Sequence, residues 1–253
     1  MTSLSDRKVL VVGASSGVGR AFATQAIAEG ADVVLTARRA DRLAEVVAEA
    51  GGGHAVVGDV SDPEACGQIV EQARAHLGTI DLVFYAAGAA PLQPLASTTT
   101  DEWRAVLETN VIGVQRMIGA TMAHLAEGAI VAVLSSEAGT GHTRPGLGAY
   151  GASKAALAES LRAWRLEHPE VRFSCIALGA TQPTEFGNAF TPDQLGPTLA
   201  TWFRHGLMQR DYMDTSEVAR LLVSLLGAAL TSPSVGIEEI VLRSPSPVVS
   251  DWS

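Results

Sequence analysis

Tyr150 and Lys154 stand four residues apart, and that spacing in a helix puts two side chains on one face. A phenol with an unperturbed pKa near 10 is a poor proton-transfer group at neutrality. A neighbouring ammonium stabilises the phenolate and lowers that value, which is the tuning that acid–base catalysis requires. Tyr-x-x-x-Lys by itself also decorates the surface of many helices. Ser136 gives the pair more meaning, because it follows an apolar run, Ala129 to Leu134, that reads as a strand. A hydroxyl there sits at a sheet edge, where ligands bind, and can hydrogen-bond a substrate oxygen.

A second chemical stretch is Lys8 to Gly19, KVLVVGASSGVG. Its apolar run breaks into Gly13, then Gly17 and Gly19, and Arg20 to Glu29 continues as a helix. The first glycine permits a tight turn, the next lets backbone approach a pyrophosphate, and the third lets helix and strand pack closely. The N–H groups and dipole at the helix start then favour an anion. The letters Gly13-Ala14-Ser15-Ser16-Gly17 also fit the G-x-S-x-G nucleophile elbow, with Ser15 as nucleophile and a later acid and His168 or His205 as partners. An ordinary glycine-rich loop is the third reading.

The elements that must position these groups alternate. Strands are expected at the start of the chain and at Asp32 to Ala37, His54 to Val57, Ile80 to Tyr85, Ala129 to Leu134, Arg172 to Ala177 and Glu239 to Arg243. Helices are expected at Ala40 to Ala50, from Ser61 (a capping box with Glu64) to Leu77, from Thr99 (paired with Glu102) to about Ala126, and at Tyr150 to Glu167 and Ser216 to Leu226. Near-continuous apolar strands separated by helices imply a parallel sheet covered on both faces. The fold class is therefore α/β: a single-domain, Rossmann-type, doubly wound sheet of about seven strands, with its crevice at the C-terminal strand ends. The stretch 181–214 is long and carries Phe186, Phe190, Trp202, Phe203, Met208, Tyr212 and Met213. It reads as a lid over an apolar substrate or as an extra packed helical hairpin.

Bulk properties narrow the function. A chain of 253 residues supports one large core, and 47% hydrophobic with 5% aromatic residues means that small aliphatic side chains fill it. A net charge of −9 argues against nucleic acid or an anionic membrane as partner. Cys66 and Cys175 form neither a disulfide framework nor a C-x-x-C metal site, so no metal is expected and a reduced cytosolic setting is the default. The start MTSLSDRK lacks an apolar signal core, and no apolar segment is long enough to span a bilayer.

Taken in order, six motifs resemble those of the short-chain dehydrogenase/reductase family. They are the Gly13-Gly17-Gly19 turn, Asp59-Val60 after the third strand, Ala87-Gly88 after the fourth, Asn110 to Gly113 in the long helix, Ser135 to Gly139 after the fifth strand, and Tyr150-x-x-x-Lys154. The resemblance implies that Tyr150 exchanges a proton with a carbonyl or alcohol oxygen and that Ser136 orients that oxygen. It also implies that Lys154 lowers the tyrosine pKa and holds the nicotinamide ribose, and that Asn110 holds a water relaying protons to Lys154. Ser15, Ser16 and Val18 become part of the phosphate turn rather than a hydrolase site, Asp59 and Val60 lie near the adenine, and Ala87, Gly88, Gly179 and Thr181 complete the cofactor contacts. A dimer or tetramer built on the helices at Thr100 to Ala126 and Tyr150 to Glu167 is implied as well.

Cofactor choice has a physical argument. An acidic residue about 20 positions past the glycine turn accepts ribose hydroxyls in NAD enzymes, whereas Arg there accommodates a 2′-phosphate. The second strand here ends Ala37-Arg38-Arg39, with no carboxylate, so NADP(H) is expected over NAD(H). The chain departs from the family pattern at Val12, Tyr85-Ala86, Leu178 and Pro183, and Ser136 to Tyr150 is one residue longer than the common spacing. The expected activity is an NADP(H)-dependent carbonyl reductase or alcohol dehydrogenase acting on a small or medium apolar ketone or alcohol. The rival is a non-catalytic NADP-binding regulator or scaffold of the same fold.

Overall fold

The computed structural model describes residues 4–186 and 190–248. Strand β1 (Lys8–Val12) sits inside a parallel seven-stranded sheet with β2 (Asp32–Ala37), β3 (His54–Val57), β4 (Ile80–Tyr85), β5 (Leu125–Ser136), β6 (Arg172–Leu178) and β9 (Glu239–Leu242). The order is β3-β2-β1-β4-β5-β6-β9. The chain leaves β1 toward β2 on one side and returns at β4 on the other, so the two connections diverge and open a crevice at the strand ends. The pleat sends alternate residues of one apolar run into different layers. Val9 and Val11 pack with Phe22, Leu35, Phe84 and Leu222, while Leu10 and Val12 pack with Val34, Val83, Met117 and Leu157.

Helices α1 (Gly17–Ala28), α2 (Ala40–Ala50) and α8 (Thr215–Leu230) cover the first face. Helices α3 (Pro63–Leu77), α4 (Thr100–Leu107), α5 (Gly113–Thr121) and α6 (Gly148–Glu167) belong to the second. Phe22 of α1 stacks on Phe84 of β4 with ring centroids 3.7 Å apart, locking that helix to the middle of the sheet. Among the described residues no helix is long and apolar enough to cross a membrane.

Three local expectations change. The cap of α3 is Asp62, not Ser61: Pro63 opens the helix, and the Asp62 carboxylate accepts from Glu64 N at 2.9 Å. The Ser61 hydroxyl turns instead to Asp59 Oδ1 at 2.7 Å. The long helix is broken by a π turn, Glu108–Ile112, that separates α4 from α5. It ends before Ala126, because β5 starts at Leu125, which pairs with Ile80 ahead of an irregularity in register that sets residues 126–129 against Asp81 alone.

The stretch 181–214 is not a structureless loop. Strands β7 (Thr181–Gln182) and β8 (Met213–Asp214) pair in parallel, and α7 (Pro192–Arg204) lies between them. Thr191 opens α7 by donating its N–H to Gln194 Oε1 at 3.0 Å and its hydroxyl to the same oxygen at 3.1 Å. Residues 187–189 of this stretch lie outside the described residues.

Candidate active site

A cavity of about 1050 Å³ lies at the C-terminal strand ends, at the upper end of the roughly 300–1,000 Å³ usual for ligand sites. Every residue that the family resemblance assigned to the site lines it except Asn110, which sits just behind Gly88. A Cβ added to Gly88 would lie 3.4 Å from Asn110 Oδ1 and 3.7 Å from Lys154 Nζ.

The glycine turn is dictated by close packing. Gly13 has φ +88°, and a Cβ there would meet Ala87 N at 2.5 Å. A Cβ on Gly19 would fall 2.2 Å from Gly13 O, so the start of α1 lies directly against the turn. Gly13 N and Ala14 N both donate to Thr36 O, and Ala86 N donates to Val12 O, which ties β1, β2 and β4 together at the crevice. The first turn of α1 carries no acidic residue of its own. Thr36 Oγ1 is buried on the cavity wall with no hydrogen-bond partner. This cradle, with an orphaned hydroxyl and the amino end of a twelve-residue helix, fits a nucleotide pyrophosphate.

Ser15 is no nucleophile here. Its Oγ accepts from Arg39 Nη2 at 3.0 Å, and among the described residues no histidine lines the cavity. His168 caps the far end of α6 and pairs with Glu170 at 3.1 Å, which removes it from the hydrolase reading. Arg38 is 75% exposed and lies 3.9 Å from Asp59 Oδ2. Asp59 also accepts from Ser61 N at 2.9 Å, the strand-end role an acidic residue fills there. Arg39 is paired with Glu185, from the stretch after β7, by bonds of 3.0 and 2.6 Å.

On the opposite wall, α6 starts two residues before Tyr150, so Tyr150 and Lys154 occupy its first two turns. The Lys154 ammonium is buried, lies 5.8 Å from the centre of the Tyr150 ring, and donates to Leu134 O at 2.9 Å. Burial lowers its pKa to about 8. Against the expectation that Lys154 lowers it, burial leaves the Tyr150 phenol raised, and it is a hydrogen bond with Ser136 and the charge of Arg144, not Lys154, that pull it part of the way back. Ser136 Oγ accepts from Ala138 N at 3.2 Å, which holds the hydroxyl at the end of β5. Asn110, in the π turn, accepts from Ala89 N at 2.8 Å and donates to Ala89 O at 2.8 Å and Ser153 Oγ at 2.9 Å. These bonds brace the loop after β4 against α6. Tyr85, where the family carries a different residue, donates its hydroxyl to Thr109 O at 3.4 Å and so also ties β4 to the π turn.

Sequence reasoning missed Arg144, Glu137 and Glu185. Arg144 is buried, ion-paired to Glu137, bonded through Nε to Leu207 O at 2.8 Å, and set over the Trp202 ring at 5.7 Å. Glu137 is held on its other side by Arg243 at 2.8 Å. Arg144 and Glu137 are joined across a loop with no periodic spacing, and their other partners, like that of Glu185, lie tens of residues away, so no local pattern marks them. The wall above Tyr150 is apolar: Phe186 meets its ring edge-on at 5.3 Å, Phe190 meets Phe186 at 5.4 Å, and Trp202 and Met208 close the cluster with Leu92 and Leu147.

A model of the short chain dehydrogenase family matches residues 7–195. An uncharacterized oxidoreductase of Mycobacterium tuberculosis is 37% identical over 256 residues, 96% of this chain and 94% of that protein. The glycine betaine reductase of Emericella nidulans is 37% identical over 171 residues, 65% of this chain but 13% of that much longer protein. Among solved structures, a short chain dehydrogenase from Burkholderia cenocepacia in complex with NADP superposes with a TM-score of 0.83 at 26% identity, covering 95% of this chain and 98% of that one. An alcohol dehydrogenase from Thermococcus sibiricus complexed with 5-hydroxy-NADP gives 0.80 at 25% identity, covering 98% and 99%.

Proposed function

Because the chain belongs to the short-chain dehydrogenase family, we propose that it is an NADP(H)-dependent carbonyl reductase or alcohol dehydrogenase for small or medium apolar ketones and alcohols. The observation that carries this reading is the meeting of Ser136, Tyr150 and Lys154 on one wall of a cavity whose other end is the glycine cradle. The NADP-bound and 5-hydroxy-NADP-bound relatives support the cofactor class. Bound there, the nicotinamide would supply or accept the hydride.

The chain's own residues do the rest. The turn from Gly13 to Gly19, with Ser15, Ser16 and Val18, holds the pyrophosphate. Asp59 and Val60 flank the adenine, and Arg38 with Arg39 faces the 2′-phosphate. Ala87, Gly88, Gly179 and Thr181 border the nicotinamide half, and Lys154 holds its ribose. Ser136 orients the substrate oxygen, and Tyr150 gives it a proton in reduction or takes one in oxidation. A water beside Asn110 returns that proton through Lys154, whose lowered pKa suits it to exchange near neutrality. The stretch 181–214 closes over the substrate, and its aromatic side chains exclude water and favour apolar groups.

The protein works in a reducing cytoplasm, consistent with two buried free thiols. It assembles as a dimer or tetramer through α4, α5 and α6, where Ile112 and Leu166 stand exposed. The test is Tyr150→Phe: turnover of a ketone panel with NADPH falls about 10²–10⁴-fold while nucleotide affinity stays within about twofold. A wild-type protein that binds NADPH but turns over no ketone or alcohol belongs to the regulator reading instead.

A further inference from the structure

We propose that Glu185 selects between cofactors: its carboxylate holds the Arg39 guanidinium, and a nucleotide 2′-phosphate must displace it to reach that arginine. This rests on reading the cavity as a nicotinamide nucleotide site. Arg39 Nη1 donates to Glu185 Oε1 at 3.0 Å and Nη2 to Oε2 at 2.6 Å, the two-pronged geometry that a guanidinium also offers phosphate. The same Nη2 reaches Ser15 Oγ at 3.0 Å, beside Ser16 at the start of α1. Thr184 lies over the turn, so that a Cβ on Gly17 would be 3.5 Å from its methyl. An anion carried by the chain itself is therefore already seated on the guanidinium that would receive an anion of the nucleotide.

The balance of charge makes this selective. Arg39 and Glu185 side chains are 42% and 37% exposed, and a pair so solvated is weak enough for a ligand to break. Once broken, the carboxylate remains tethered beside the site and repels a doubly charged phosphate. NADH has a hydroxyl at that position and does not contend for the arginine. Arg38, exposed and only loosely associated with Asp59, is left to receive the phosphate first. The preference for NADPH is thus the sum of two arginines set against one glutamate from 146 residues away.

The experiment measures NADPH and NADH dissociation constants directly, by calorimetry, for the wild type, Glu185→Gln, Arg39→Ala and the double variant. Glu185→Gln tightens NADPH about fivefold or more and changes NADH less than about twofold. In the Arg39→Ala background the same substitution loses most of that effect. An unchanged or lowered NADPH-to-NADH affinity ratio in Glu185→Gln, or a full effect without Arg39, overturns the proposal. Wild-type binding with an unmoved ratio overturns this inference alone, whereas a wild type that binds neither nucleotide overturns the reading beneath it as well.

Discussion

The two ends of the cavity are built by opposite means. At the glycine end, backbone meets backbone: Gly13 against Ala87, Gly19 against Gly13, and the amide groups of the turn against Thr36. At the other end, large side chains meet large side chains: Phe186, Phe190, Trp202 and Met208 around Tyr150, with Arg144 tying the loop before α6 to Leu207. The first arrangement tolerates no added atom, because its shape is the path of the chain. The second can exchange one apolar group for another of similar volume at modest cost. The comparison teaches that the glycine end is fixed by steric necessity and the aromatic end by replaceable packing.

Breaking the contrast starts with the largest effect. Gly13→Ala places a methyl 2.5 Å from Ala87 N at a φ of +88°, so strain and overlap together cost roughly 3–5 kcal/mol. Thermal denaturation drops on the order of 10 °C, and nucleotide binding is lost with it. A variant that melts like the wild type shows that the turn is not sterically closed.

Trp202→Ala comes next. It removes the cap of the apolar cluster and the bond from its Nε1 to Pro145 O at 2.7 Å. The cost to local packing is about 3 kcal/mol, and KM for apolar ketones rises about tenfold or more, while the NADPH dissociation constant stays within about twofold. Equal loss at both ends, read by steady-state kinetics beside calorimetry, erases the division drawn here. Smallest is Arg38→Ala, which weakens NADPH about tenfold and leaves NADH as it was. A shift shared by both nucleotides removes Arg38 from the recognition of the 2′-phosphate.

Much of this was legible before any coordinates. The bounds of β2, α2, β3 and β4 are those read from the sequence, the strands from their short apolar runs and α2 from its helical periodicity ended at Gly51. The capping pair Thr99–Glu102 marks the start of α4. The start of α7 carried a similar sign, Thr191-Pro-Asp-Gln194, which the aromatic residues around it obscured. The π turn at Asn110 was not legible, because a single wide turn inside a helix has no spacing pattern of its own in the sequence.

By itself the sequence determined the family, the alternation of strands and helices, and the identity of the glycine, serine, tyrosine and lysine groups, because each depends on spacing within a few residues. Only the tertiary structure decided that Lys154 bonds Leu134 O, that burial raises the Tyr150 phenol while the charge of Arg144 pulls it back, and that Glu185 reaches Arg39. Those pairings join residues between 6 and 146 positions apart, and the longer ones exist only because the sheet brings the ends of β2, β5 and β6 to one edge. Charge interactions depend on distance through space, and distance along the chain does not report it.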